Sequence, residues 1–235
     1  MSNGPACVGI IMDGNRRFAK AKGLPAWQGH VAGKKALLEL LDAYAALRKK
    51  YGTAHYVFYA FSSENWKRSP AEVQKLLALV EEAFADIESR LAQAKEDKVR
   101  IRFVGDTTKF NAKTRRQFAR LEEETAHNTK GTIAFALSYG GRDELVRAVR
   151  KLSTDGANLP KLTEAKLSGA LDTAGIPDPD LIIRTGGAQR LSNFLLWQSA
   201  YSELFFTPTL WPDFSVKKLE ELFAEFAKTK RNFGT

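Results

Sequence analysis

The chain has 235 residues, 44% of them hydrophobic and 27% charged, with a formal net charge of +9 at pH 7. That length suits one α/β domain with a full core, and the hydrophobic content excludes a disordered chain. No apolar stretch approaches the roughly 18 uncharged residues of a membrane span.

Apolar runs of strand length alternate with amphipathic stretches along the chain. A first strand is expected at residues 7–12, and Gly14-Asn15 then starts a helix. A helix at 34–50, a strand at 55–61 and a helix at 71–94 follow. Next come a strand at 99–104, a helix at 112–127, a strand at 132–137 and helices at 143–152 and 164–171. Strands at 180–183 and 203–206 and a helix at 216–228 complete the set. The strand segments are mostly unbroken apolar runs, as expected when both sheet faces are covered. Alternation of strand and helix implies a mostly parallel sheet with right-handed crossovers. There is no repeat, low-complexity tract or linker, so a single domain over 1–235 is expected.

The opening MSNGPACVGIIMDGN lacks a basic n-region and a long apolar segment, so no secretory leader is read. The single cysteine, Cys7, sits in an apolar run. A buried, inert thiol in a reducing compartment is expected, which points to the cytoplasm. The positive charge fits nucleic acid, phosphorylated metabolites or an acidic membrane face, and does not choose among them. Many lysines fall on helix faces, where solvation explains them.

Ligands of an open parallel sheet sit outside the carboxyl ends of its strands. Five strand ends carry polar or glycine-rich segments: Asp13 to Arg17, Ser62 to Arg68, Gly105-Asp106, Ser138 to Asp143, and Arg184 to Gly187. Five such ends in register are expected to form one site. Arg184, Thr185, Gly186, Gly187, Arg190 and Ser192 suit a diphosphate, because guanidinium forks match phosphate oxygens and glycines let N–H groups approach an anion. Asp13 suits a divalent cation beside phosphates, although it or Asn15 serves equally as a helix cap. His30 at a helix start either donates to phosphate or is structural. Trp66 either covers an apolar substrate portion or packs in the core. Glu203 is either an edge charge or a metal ligand. The stripe Val73, Leu76, Leu77, Val80, Phe84, Ile87, Leu91 is either core or cavity wall. No GxxxxGK[ST], GxGxxG or CxxC pattern occurs, so nucleotide and zinc readings lose support.

The ordered motifs IIMDGNRR, GHVAGKKAL, YAFSSENWKR, VRIRFVGD, ALSYGGRDELVRAV and PDPDLIIRTGGAQRLSNFLLWQSAYSELFFTPTLWPDF span essentially the whole chain. Together they resemble the cis-prenyltransferase family, the undecaprenyl diphosphate synthase-like isoprenyl transferases. The resemblance implies a six-stranded, mostly parallel sheet with flanking helices, an apolar tunnel and a homodimer. It implies Mg²⁺-dependent condensation of isopentenyl diphosphate with an allylic diphosphate, giving a Z-polyprenyl diphosphate for a lipid carrier. By matching position, Asp13 is the essential magnesium-site residue, with Glu203 assisting, and Asn65 joins Asp13 as catalytic. Asn15, Arg17 and His30 surround the allylic diphosphate. Ser62, Asn65, Trp66 and Arg68 lie between the substrates, with Glu72 nearby. Arg184, Arg190 and Ser192 clamp isopentenyl diphosphate. The same motifs bring Gly14, Arg16, Phe18, Ser63, Glu64 and Leu191 into the substrate-binding set.

Five departures from the family pattern stand out. Arg16 replaces a glycine, so no positive φ is expected there, and Phe18 replaces a tryptophan. Ala26 and Ala188 stand where an arginine and a glutamate are common, and the C-terminal RxG reads Asn232-Phe233-Gly234. Two rival readings are a noncatalytic subunit of a heteromeric enzyme and a basic nucleic-acid-binding module. Asp13 with Arg184, Arg190 and Ser192 opposes the first, and no RRM, KH or helix-turn-helix pattern supports the second. Any membrane contact is expected to be peripheral.

Overall fold

In a computed structural model that describes residues 4–230, the apolar runs become six strands of one sheet. They are β1 (Cys7–Ile11), β2 (His55–Ser62), β3 (Val99–Val104), β4 (Gly131–Tyr139), β5 (Leu181–Arg184) and β6 (Glu203–Phe206). Their spatial order is β3-β4-β2-β1-β5-β6, and every neighbouring pair is parallel. The chain leaves β1 toward β2 on one side and returns on the other with β5. The crevice between β1 and β5 is therefore the topological switch point, where such sheets bind ligands.

Nine helices connect and cover the strands within the described residues: α1 (Asn15–Ala21), α2 (Ala26–Asp42), α3 (Tyr44–Tyr51), α4 (Pro70–Glu88), α5 (Leu91–Glu96), α6 (Ala112–Thr125), α7 (Gly141–Thr154), α8 (Glu164–Ser168) and α9 (Val216–Phe226). Two helices expected as single units are divided. The segment 34–50 belongs to α2 and α3, which break at Ala43, and α2 starts earlier, after Pro25. The segment 71–94 divides at Ser89-Arg90, where the Arg90 guanidinium grips the Asp42 carboxylate at 2.6 and 3.1 Å. Neither break has a glycine or proline to announce it. The expected strand at 180–183 is shifted one residue onward, so Arg184 itself ends β5.

The larger apolar cluster packs α2, α4, α6 and α9 against one face of the sheet. A smaller cluster on the other face includes Ile11, Val57, Val104, Ile182 and Phe194. Cys7 is fully buried, and burial pushes its thiol pKa far up, so it is an inert apolar group. The β3 edge is closed by side chains: Thr125 accepts from Ile101 N–H at 3.0 Å, Glu122 from Phe103 N–H at 2.9 Å and Asp172 from Gly105 N–H at 2.9 Å. Such capping blocks pairing with another chain. Among the described residues no side chain caps the β6 edge in this way, and Leu204 is exposed there.

Helix α1 crosses α2 closely because Gly33 leaves room for it. A Cβ at Gly33 would collide with the Asn15 side chain and lie 2.8 Å from the Trp211 ring. The Gly33 carbonyl also accepts from Trp211 Nε1 at 2.8 Å.

Candidate active site

Three adjacent strands, β2, β1 and β5, deliver the core of the site at one rim. Beyond β1, Asp13 has its backbone carbonyl held by Thr185 Oγ1 at 2.6 Å and by Trp211 N–H at 3.0 Å. Its carboxylate meets Arg184 Nη2 at 2.8 Å and Arg17 Nη2 at 3.2 Å. Arg184 is 4% exposed. Its Nη1 donates to Ser192 Oγ and to the Arg190 carbonyl, both at 2.7 Å. Arg17 donates to the Gly186 carbonyl as well. Gly186 sits at φ +80, and a side chain there would strike the Arg17 guanidinium. Ser192 and Asn193 also lie at positive φ, 50 and 66. Such backbone costs of order 1–3 kcal/mol per residue and gathers at functional loops.

Burial of Asp13 favours its neutral form, but Arg184 and then Arg17 outweigh that and hold the carboxyl below the usual carboxylate range. The site thus presents a committed anion among cations.

A second wall comes from α1, α2 and the start of α4. Arg68 Nη1 meets Glu72 Oε1 at 2.6 Å, and Arg16 approaches the same oxygen at 3.8 Å. Arg16 lies within α1 at negative φ, as its side chain requires. His30 lies beside this group, and its buried Nε2 has no hydrogen-bond partner. Burial first, then the charge of Arg68, depress its pKa to about 4 against the opposing pull of Glu72. The unfolded chain takes that proton near pH 6.5. Between about pH 4 and 6.5 the unfolded state holds more protons, so stability falls as pH is lowered. The loss is on the order of 3 kcal/mol by pH 4. Urea titrations should show this slope in the wild type and lose it in His30→Gln; identical slopes would assign the proton to another group.

Asp13, Asn15, Arg16, His30, Ser62, Asn65, Arg68, Arg184, Arg190 and Ser192 all line one cavity of about 400 Å³. Its inner end is apolar, with Leu37, Leu76, Leu79, Val80, Ala83, Phe84 and Phe135. The α4 stripe therefore serves both alternatives. Leu76 and Val80 line the cavity, whereas Ile87 and Leu91 are core and Phe84 belongs to both. A second cavity of about 640 Å³, floored by Ile87, Val99, Ile101 and Ile133, lies beyond Phe135, which lines both.

Several expected site residues support the cavity and do not line it. Trp66 Nε1 donates to Ser138 Oγ at 2.9 Å, and its half-buried ring packs on Phe61 and Phe110. Phe18 is buried under α1. Leu191 packs against the smaller apolar cluster. Gly14 caps α1, and Arg17 and Glu72 reach the site through their ion pairs. Ser63 and Glu64 are bound to each other at 3.1 Å, and Asn193 Nδ2 donates to Glu64 at 3.0 Å. Burial opposes ionisation of Glu64, but Asn193 and nearby donors outweigh it and lower its pKa. Asn65 closes a capping box with Ser62, accepting from Ser62 N–H at 2.9 Å. Irregular register in β2 after Tyr59 and Phe61 turns Ser62 toward this rim.

Not all five strand ends converge. Gly105-Asp106 follows edge strand β3, away from the cavity, and Gly105 is tied to Asp172. The end of β4 acts as a brace: Gly141 N–H donates to the Asn193 carbonyl at 2.7 Å and Arg142 N–H to Asn193 Oδ1 at 3.0 Å. Glu203 is also displaced. It begins β6 opposite Leu181, three residues before Arg184 on a parallel strand. That places it about 10 Å down the sheet, at the opposite rim, so within one chain it does not join Asp13. Asn232-Phe233-Gly234 lies outside the described residues.

Sequence reasoning missed Thr185, Tyr59 and Trp211 as organisers. The single Tyr59 O–H lies between two acceptors, the Tyr139 carbonyl at 3.1 Å and the Ser192 carbonyl at 3.3 Å. Thr185 was signalled only by its place after Arg184, and Trp211 by nothing nearby.

No group of three or more His, Cys, Asp or Glu side chains able to hold a metal ion occurs among the described residues. A single half-buried carboxylate beside cationic phosphate-type donors fits a Mg²⁺ ion that takes most of its ligands from a bound diphosphate and water.

The sequence model described as "Putative undecaprenyl diphosphate synthase" matches residues 11–234. An isoprenyl transferase of Rhizobium meliloti is 44% identical, with 99% of this chain and 93% of the relative covered. An isoprenyl transferase of Brucella abortus is 46% identical, over 98% and 89%. Lavandulyl diphosphate synthase from Lavandula x intermedia, crystallised with dimethylallyl diphosphate, superposes with a TM-score of 0.91 at 30% identity over the full length of both chains. A probable undecaprenyl diphosphate synthase from Campylobacter jejuni gives a TM-score of 0.78 at 30% identity, covering 98% and 99%. The chain belongs to the undecaprenyl diphosphate synthase family of prenyltransferases.

Proposed function

We propose that this transferase condenses isopentenyl diphosphate with an allylic diphosphate and releases a Z-polyprenyl diphosphate, with Mg²⁺ as its cofactor. One observation carries the reading: the Asp13–Arg184 pair stands at the β1/β5 crevice, at the polar mouth of a cavity that turns apolar inward. In each cycle the allylic C–O bond breaks, a new C–C bond joins the two substrates, and a proton and the diphosphate depart.

Arg16, Arg68 and His30 are placed to hold the diphosphate whose charge grows as the C–O bond breaks. Preorganised donors of this kind lower such a barrier electrostatically. Arg190 and Ser192, which line the same cavity after β5, would hold the other head group. Asp13 and Asn15 stand between the two sets, and Asn65 lines the same space. A bound Mg²⁺ at Asp13 would neutralise diphosphate charge. The unpartnered Nε of Arg184, Nε2 of His30 and Oδ1 of Asn15 are all buried in this region. Buried polar atoms lacking partners carry a cost that a ligand can remove. A bound diphosphate should raise the His30 pKa, so binding near pH 6 takes up a proton. Calorimetry in buffers of different ionisation enthalpy reads that uptake, and His30→Gln should remove it.

The growing hydrocarbon would lie along Leu76, Val80, Phe84 and Phe135, where each buried CH₂ contributes about 0.8 kcal/mol. Phe135 lines both cavities. Phe135→Leu should join them and shift products toward longer chains, at about 1–2 kcal/mol of stability. Mass spectrometry of the products checks this, and an unchanged length distribution would remove Phe135 as the stop.

A homodimer fits the uncapped β6 edge and the exposed Val146, Val149 and Leu204. No helix among the described residues is long and apolar enough to cross a membrane. A cytoplasmic enzyme meeting the membrane peripherally, through its positive charge, fits a lipid product. The deciding experiment is incubation of the purified chain alone with Mg²⁺, labelled isopentenyl diphosphate and C10 or C15 allylic primers. Primer-dependent polyprenyl products are expected. Failure of the pure chain, with activity restored by a partner, would favour the noncatalytic-subunit reading.

A further inference from the structure

A cleft of about 600 Å³ lies between β3, α6, α7 and the segment after α8, and none of its lining residues lines the catalytic cavity. Alternation along β3 turns Arg100 and Arg102 to one face, roughly 7 Å apart. Arg147 and Lys151, four residues apart on α7, face the same cleft. The four cations have different commitments. Arg147 is engaged bidentately by Asp172, at 2.8 and 2.5 Å, and by Asp143 at 2.8 Å. Arg102 donates to the carbonyls of Asp172 and Ala174 at 3.0 and 3.3 Å and approaches Glu122 at 3.6 Å. Among the described residues Arg100 and Lys151 have no such partner, and the Arg100 Nε is buried without a hydrogen bond.

The lining carries four cations (Arg100, Arg102, Arg147, Lys151) against three carboxylates (Glu122, Glu123, Asp172), a net of +1. Two of those carboxylates already serve Arg102 and Arg147, which leaves only Glu123 on α6 free to answer Arg100 and Lys151. Burial first, then the neighbouring charge of Arg100, depress the Arg102 pKa against the pull of Glu122 and Asp172. The half-buried Arg100 guanidinium beside the exposed Lys151 ammonium suits a tetrahedral oxyanion. The volume leaves space for a small organic body as well.

We propose that this cleft is a second anion site, which binds a small phosphomonoester between Arg100 and Lys151, independently of the catalytic cavity. Its recognition would be by charge and by the oxygens of one phosphate group, with Arg102 and Arg147 held in place as the floor.

The test is a titration of the full ¹⁵N-labelled chain with glycerol 3-phosphate, following the arginine Nε–Hε resonances by NMR. The Arg100 signal should move saturably. Lys151→Gln, an exposed substitution on α7, should weaken the fitted Kd at least about tenfold. Arg190→Ala, which removes an exposed cation of the catalytic rim without touching the core, should leave the Arg100 response intact. An Arg100 signal that does not move would overturn the site. So would a Kd unaffected by Lys151→Gln, or a response that vanishes in Arg190→Ala.

Discussion

Asp13→Ala should lower condensation of labelled isopentenyl diphosphate by about 10³-fold or more, and it should also destabilise the fold. The two effects have different origins. Among the described residues the carboxylate is the one acidic group lining the cavity, and loss of an electrostatic element of a catalytic site costs about 10²–10³ in rate. Among them it is also the only carboxylate on buried Arg184, and stripping one partner from a buried pair costs about 3–5 kcal/mol. Arg184 keeps its bonds to Ser192 and the Arg190 carbonyl, so a value at or below the low end is expected. Asp13→Asn separates the effects. It retains an oxygen for Arg184, so urea unfolding should be close to wild type, while turnover stays lost because the charge is gone. Near-normal turnover in Asp13→Asn would remove Asp13 from the chemistry. The acid dependence has a fixed sign. The folded pKa of Asp13 is depressed, so its stabilisation is fully present above the unfolded value of about 3.9. That stabilisation is lost as pH falls through the lower folded value.

Arg184→Lys is the second large effect. A lysine keeps the charge but not the planar fork. It cannot reach Asp13, Ser192 and the Arg190 carbonyl at once, and these three contacts hold the β5 loop against β1. Stability should fall by about 2–4 kcal/mol, from lost charge-assisted bonds at a buried position. Turnover should fall by about 10²-fold, because the loop that presents Arg190 and Ser192 loses its anchor. Arg190→Ala is the contrasting variant. Its side chain is exposed at the cavity mouth, so thermal unfolding should be unchanged while KM for isopentenyl diphosphate rises about tenfold or more. If the two variants gave equal unfolding curves, the anchoring role of Arg184 would be wrong.

Much of this was readable without coordinates. Both faces of the sheet are covered, so β1, β2, β4 and β5 are nearly pure apolar runs, and their positions follow from composition alone. Asp13 and Arg184 were legible because each directly follows or ends such a run. The helix divisions at Ala43 and Ser89-Arg90 were not, because no local breaker marks them and Arg90 spans to Asp42 across the fold. Trp66, Phe18 and Leu191 sit in the same motifs as the cavity residues, yet Phe18 is buried and the half-buried Trp66 and Leu191 pack against the apolar clusters.

The local sequence by itself determined which segments pair as buried strands and which side chains follow them, since period and residue type act over a few neighbours. Only the tertiary arrangement decided the strand order. That order brings the ends of β2, β1 and β5 together, sends Gly105 to the sheet edge and leaves Glu203 at the opposite rim. Lateral order and register arise from contacts between residues far apart in the chain, which a local pattern does not encode.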